Sequence, residues 1–107
     1  MNTYGRTAQA YWQTYLPSRV AAIDPSQRER FFTTLGQEVE QEILTLEPAL
    51  AGPDPQNEDY LAKVGRLRNA RSRAEESVMA EMVYLPAEPG TEDREIRTDL
   101  PSGVHRV

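Results

Sequence analysis

A basic cluster carries the most obvious chemistry in this 107-residue chain. Five positive charges fall within eleven positions of a stretch with helical periodicity. Such charges along one helix can follow a phosphate backbone. The three that lie broadly along one side are Lys63, Arg66 and Arg73, and the others are Arg68 and Arg71. The cluster therefore predicts nucleic-acid contact as one alternative.

Glutamates of the preceding helix offer a second explanation. If the two helices pack antiparallel with Leu50 level with Tyr60, four carboxylates lie opposite the basic cluster: Glu38, Glu40, Glu42 and Glu47. Complementary charges of this kind favour one helix orientation, although an exposed pair contributes only about 0–1 kcal/mol. The net charge of -5 also does not attract nucleic acid to the chain as a whole. We favour the structural role, and an acidic protein partner for the cluster stays open.

Aromatic residues recur on one face of the first predicted helix, beginning with Tyr4. Both a core role and a binding role are open, because aromatic rings bury large areas and are enriched in binding hot spots. In the polar tail, two apolar residues lie four positions apart and suggest a short docking element. The residues that we predict to contact a protein partner are Tyr11, Trp12, Tyr15, Ile96 and Leu100.

The residue inventory argues against catalysis. The chain has no cysteine, and its one histidine, His105, lies in the tail, where no packed element orients it. Glu38 and Glu42 are one turn apart but lack the histidine that carboxylate-bridged metal sites in bundles use. The connector 52–55 contains two prolines, which remove the amide donors that a phosphate-binding loop needs. We therefore expect no enzyme, no cofactor and no metal.

Apolar spacing predicts three helices, at about 4–16, 25–50 and 57–85. Asp24 and Asn57 fit helix caps, and Gly36 indicates a close approach by another helix. Pro48 predicts that the second helix either stops at about Glu47 or kinks and continues to Leu50. The fold class is all-α: a three-helix bundle over residues 1–85, made of a short N-terminal helix and a long antiparallel hairpin. Residues 86–107 form a Pro/Gly-containing tail, flexible or docked on a partner.

The chain shows no signal-peptide core and no apolar run of about 20 residues, the length that spans a bilayer. The absence of cysteine mildly favours a reducing compartment. We expect a cytoplasmic, non-catalytic protein-interaction module that does not contact membranes. Self-association of two hairpins into a homo-oligomer stays open.

The stretch 71–84, with Tyr11-Trp12 and the Leu16-Pro17 helix stop upstream, resembles the TnpV-type small proteins encoded on transposons. The resemblance covers about a fifth of the chain. That family has no assigned chemistry, so no functional residue transfers. What the resemblance implies is a mobile-element or phage-like origin, in which small acidic helical proteins act as accessory or inhibitor proteins.

Overall fold

The computed structural model describes residues 1–96, and within them the chain is helical without strands. A long hairpin of two helices carries the shorter N-terminal helix on one side, which confirms the predicted all-α bundle. The elements in chain order are α1 (Thr3–Tyr15), α2 (Pro17–Ala21), a 3-10 turn (Pro25–Gln27), α3 (Arg28–Ala51) and α4 (Tyr60–Met82).

Two glycines allow α1 to cross α3 at backbone contact. A Cβ atom on Gly36 would lie 2.6 Å from the Gly5 nitrogen and 2.8 Å from the Gly5 Cα, and a Cβ on Gly5 would lie 2.6 Å from the Phe32 carbonyl oxygen. Asn2 fixes this crossing, because its Oδ1 accepts from the Gly5 amide and its Nδ2 donates to the Gly36 carbonyl. The close approach predicted at Gly36 is confirmed.

The core lies where α1, α3 and the second half of α4 meet. Trp12 packs against Phe31 and Phe32, with ring centroids 5.4 and 5.7 Å apart. Ala74 of α4 is fully buried in the same core cluster. The largest fully buried side chains are Phe32, Leu16, Ile43, Val39 and Val83.

Capping and proline chemistry set the bounds of α3. The Asp24 carboxylate accepts from the Ser26 amide and hydroxyl, and Pro25 opens a single 3-10 turn before the α-helix begins. Hydrogen bonds from Ser26 lower the pKa of Asp24. Pro48 lies inside α3, which continues to Ala51 and ends at Gly52 with φ +69°. Of the two outcomes left open at Pro48, the chain adopts the longer helix.

The bounds of α4 differ from the prediction at both ends. Asp59 caps the helix by accepting from the Ala62 amide at 2.8 Å, so Asn57 is not the cap. The helix ends at Met82 because the amides of Val83 and Tyr84 both turn back to the Met79 carbonyl. Residues 83–85, the last three of the predicted helix, therefore lie outside α4 and turn toward α1.

The register of the hairpin is shifted by about two turns from the predicted one. The Arg66 guanidinium donates to the Ala51 carbonyl, and Arg71 pairs with Glu47, whereas the prediction placed Tyr60 level with Leu50. Consequently Glu47 is the only one of the four glutamates in an ion pair within residues 1–96. The prediction was wrong because it placed the end of α3 level with the start of α4, whereas the linker 52–59 runs beside the first turns of α4.

The stretch that follows α4, residues 83–96, packs against α1 and α2, and we call it the C-terminal segment. The Glu88 amide donates to the Tyr15 carbonyl, and the Glu88 carboxylate accepts from the Ser18 amide near the start of α2. Thr91 is 3% exposed, and its hydroxyl donates to the Glu88 carbonyl. The predicted flexible or partner-docked tail is corrected for residues 86–96, which dock on the chain's own helices.

Candidate functional site

The tip of the hairpin, residues 52–67, is held together by two residues of the basic cluster, Lys63 and Arg66. Arg66 donates to Glu58 at 2.8 Å, to Asp54 at 2.6 Å and to the Ala51 carbonyl at 2.6 Å. Lys63 also binds Asp54 at 2.8 Å. Hydrogen bonds from Lys63 and Arg66 lower the pKa of Asp54, and hydrogen bonds to Glu58 and Asp54 raise the pKa of Arg66. These charges fix the linker against α4.

The structure does not bring the three predicted nucleic-acid residues together as a free surface. Lys63 and Arg66 are in ion pairs with the linker, and the Arg66 side chain is only 20% exposed. Arg73 lies farther along α4, in no ion pair within residues 1–96. The sequence alone did not indicate that the linker's own carboxylates would take the first two.

A half-buried polar network joins α1 to the hairpin. The Tyr4 hydroxyl donates to Glu75 at 2.6 Å and accepts from Arg71, which also binds Glu47. Burial, followed by the hydrogen bond to Glu75, raises the pKa of Tyr4; hydrogen bonds to Glu47 and Tyr4 raise the pKa of Arg71. No buried side-chain nitrogen or oxygen within residues 1–96 lacks a hydrogen-bond partner, which is typical of a structural network.

The aromatic residues predicted to contact a partner instead hold the C-terminal segment. Trp12 is 6% exposed, and its Nε1 donates to the Val83 carbonyl at 3.1 Å. The hydroxyl of Tyr11 donates to the Leu85 carbonyl and that of Tyr15 to the Arg94 carbonyl. Of the two roles left open, Trp12 has the core role, and backbone carbonyls of the chain itself accept the hydrogen bonds of all three side chains; contact with a protein partner stays a prediction.

The remaining predicted contact residues lie at the far end of the C-terminal segment. Ile96, the last residue that the structure describes, is 38% exposed. Leu100 lies outside the described residues.

Exposed apolar side chains occur instead on the part of the hairpin that α1 does not cover. Tyr60 and Leu61 are 77% and 78% exposed, and Leu67 and Leu44 are also exposed. The two-turn shift of the hairpin register explains the exposure of Tyr60 and Leu61, because the first turns of α4 extend past the end of α3. The apolar spacing that predicts this helix does not separate such positions from core positions, and only the register of the hairpin shows that Tyr60 and Leu61 lie past the end of α3.

A shallow groove of about 390 Å³ runs between α3 and α4. On α4 its residues lie on the side away from Arg71 and Glu75, which face α1. Leucines of α3 form one wall, and short and charged residues of α4 form the other. The lining residues are Leu46, Leu50, Arg73, Glu76, Ser77 and Ala80.

Residues 1–96 contain no group of three or more side chains that could together bind a metal ion. None of the helices in this part of the chain has the length and apolar content to cross a bilayer. Comparison of the chain with protein-family models, with curated proteins and with solved structures finds no match.

Proposed function

We propose that this chain is a non-catalytic protein-interaction module that binds a protein partner through the uncovered part of its hairpin. The observation that carries the proposal is the exposure of Tyr60 and Leu61, two adjacent large apolar residues, each more than three-quarters exposed. Exposed apolar side chains are costly in water and mark contact surfaces when they cluster. The resemblance to transposon-encoded proteins adds an accessory or inhibitor role in a mobile element to this proposal.

The tip is suited to binding because ion pairs hold its linker in a defined position. Asp54 and Glu58 hold the linker against α4 through Arg66, so the first turns of α4 keep their position without an opposing helix. A preorganised surface loses little conformational entropy on association, which favours affinity. Tyrosine adds a large, amphipathic contact area of the kind enriched in binding hot spots.

Site-specific photocrosslinking tests this proposal. A benzophenone amino acid at Leu61 is expected to crosslink one defined protein in extracts of the source cells, and the additional change Tyr60→Ser should abolish the adduct. The matched control places the same group at Gln41, which is exposed on α3. Equal crosslinking from both positions, or none from Leu61, would contradict the proposal.

Nucleic-acid binding is the alternative function, and two observations weaken it. Lys63 and Arg66 are engaged by carboxylates, and Arg68 and Arg73 lie about 140° apart around α4 because they are five positions apart. A titration with DNA and RNA at low salt separates the alternatives. We expect no binding; binding that weakens steeply with salt and is reduced in Arg73→Gln would favour the nucleic-acid role.

A further inference from the structure

The hairpin has two faces that could receive a helix, and the chain fills only one of them. α1 lies on the first face, where Tyr4 reaches Glu75 and Arg71. The groove lined by Leu46, Leu50 and Ser77 lies on the other face, and no helix within residues 1–96 covers it. Grooves between packed helices accept the side-chain ridges of a further helix. The occupied face shows that this hairpin can pack against one.

The second face is acidic. Glu42 lies one turn before Leu46 on the same side of α3, and Glu38 lies one turn before Glu42. From residue 31 to its end, α3 contains no basic residue. On the opposite wall, Glu76 lines the groove and Glu81 lies one turn after Ser77. None of these four carboxylates is in an ion pair within residues 1–96. Arg73 is the one cation among the groove-lining residues.

We propose that this groove binds a basic amphipathic helix of another protein. Leucines of the incoming helix would contact Leu46 and Leu50, and its flanking lysines or arginines would lie near Glu42 and Glu76. This inference rests on the proposed interaction function and adds a chemical class of partner at a second surface.

Charge distinguishes this occupant from a second copy of the chain. A symmetric pairing of two grooves would bring the acidic rims of both copies together, and Arg73 alone cannot neutralise them. Like charges placed opposite one another oppose association. A basic helix has the complementary charge.

The direct test is fluorescence anisotropy with a labelled leucine/lysine model helix of about four turns, its leucines spaced for one apolar face. Two comparison peptides control for charge and pattern: a leucine/glutamate helix with the same spacing, and a scrambled leucine/lysine peptide of identical composition. We expect binding of the patterned basic helix, no binding of the acidic helix, and clearly weaker binding of the scrambled peptide. Equal binding of the patterned and scrambled peptides would overturn the proposal.

A matched pair of substitutions on α4 locates the site. Ser77→Arg adds bulk and positive charge inside the groove, whereas Ser72→Arg makes the same change on an exposed residue outside it. We expect Ser77→Arg to weaken binding by about tenfold or more, with Ser72→Arg close to the parent chain. Equal loss in both variants would overturn the groove assignment, since general charge attraction would then explain the binding.

Charge reversal and sedimentation complete the test. The double change Glu42→Lys with Glu76→Lys should abolish binding, whereas Asp93→Lys with Glu95→Lys, an equal change of net charge on the C-terminal segment, should not. Sedimentation that shows a dimer in the parent chain and a monomer in Ser77→Arg would assign the groove to a second copy and overturn the proposal. If the peptide-binding tests contradict the groove proposal, the crosslinking result at Leu61 is unaffected, so the two proposals can fail separately.

Discussion

The indole nitrogen of Trp12 donates a hydrogen bond to the Val83 carbonyl oxygen, 3.1 Å away, and so joins the first helix to the residue that follows the last one. Both residues are buried, with Val83 fully so. The same side chain also packs on two phenylalanines of α3. Trp12 therefore connects three parts of the chain that are distant in sequence.

Replacing Trp12 with phenylalanine removes this donor and leaves a buried carbonyl without its partner. We expect the free energy of unfolding to fall by about 1–3 kcal/mol from the unsatisfied group, with a further loss from the smaller ring. Urea denaturation measures the change. Tyr84→Phe is the control, because Tyr84 is 46% exposed, and its free energy of unfolding should stay within about 0.5 kcal/mol of the parent. Equal stability of Trp12→Phe and the parent would contradict the assigned role.

Two glycine-to-alanine changes should have opposite effects. At Gly36 the new methyl group would lie 2.6 Å from the Gly5 nitrogen, so α1 and α3 must separate, and we expect a loss of about 1–3 kcal/mol. At Gly65, in the exposed part of α4, a methyl group meets nothing within 4 Å. There alanine should stabilise the protein by about 0.5–1 kcal/mol through helix propensity. Thermal unfolding compares the variants, and a neutral Gly36→Ala would show that the crossing is looser than described.

The Glu88 carboxylate caps α2 from 70 positions away in the sequence, by accepting from the Ser18 amide at 3.1 Å. Glu88→Ala removes this acceptor and should cost about 0.5–2 kcal/mol, as other lost helix caps do. Amide hydrogen exchange provides the local measurement: the Ser18 amide and residues 86–96 should exchange faster, with the hairpin core unchanged. Glu95→Ala, at an exposed position of the same segment, should leave these rates unchanged.

Stability should fall in acid partly through Asp54. Its pKa is lowered in the folded chain by Lys63 and Arg66, so the folded state favours the charged carboxylate. That contribution is complete above the ordinary value of 3.8 and is lost as the pH falls through the lower folded value. Melting temperatures measured from pH 6 down to about pH 2 should therefore decline less steeply in Asp54→Asn than in the parent. The same slope in both would show that these ion pairs do not contribute.

The local elements of this fold follow from the sequence because their signals are local. Asp24-Pro25 predicts the start of α3, and the alternation of threes and fours in the apolar residues predicts both long helices. Gly36 indicated a helix crossing because glycine within a helix otherwise lowers stability. Each of these inferences uses residues within a few turns of one another.

The register and the binding surface could not be predicted in the same way. Arg66 has carboxylates available on both the linker and α3, and the sequence does not indicate that Asp54 and Glu58 are the ones it binds. The packing of the C-terminal segment on α1 could not be predicted either. Tyr11 and Trp12 donate to backbone carbonyls, which every residue has, so no residue type in the sequence identifies their partners. These two features explain why the sequence alone placed the predicted contact residues on α1, whereas the proposed surface lies at the hairpin tip.

Hydrogen–deuterium exchange of the chain, free and bound to the protein captured by crosslinking at Leu61, tests the central claim most directly. We expect binding to protect residues 60–67 of α4, where the apolar side chains are exposed, and to leave α1 and the C-terminal segment unchanged. Protection confined to residues 4–16 and 86–96, with the hairpin tip exchanging as in the free chain, would contradict the proposed interaction surface.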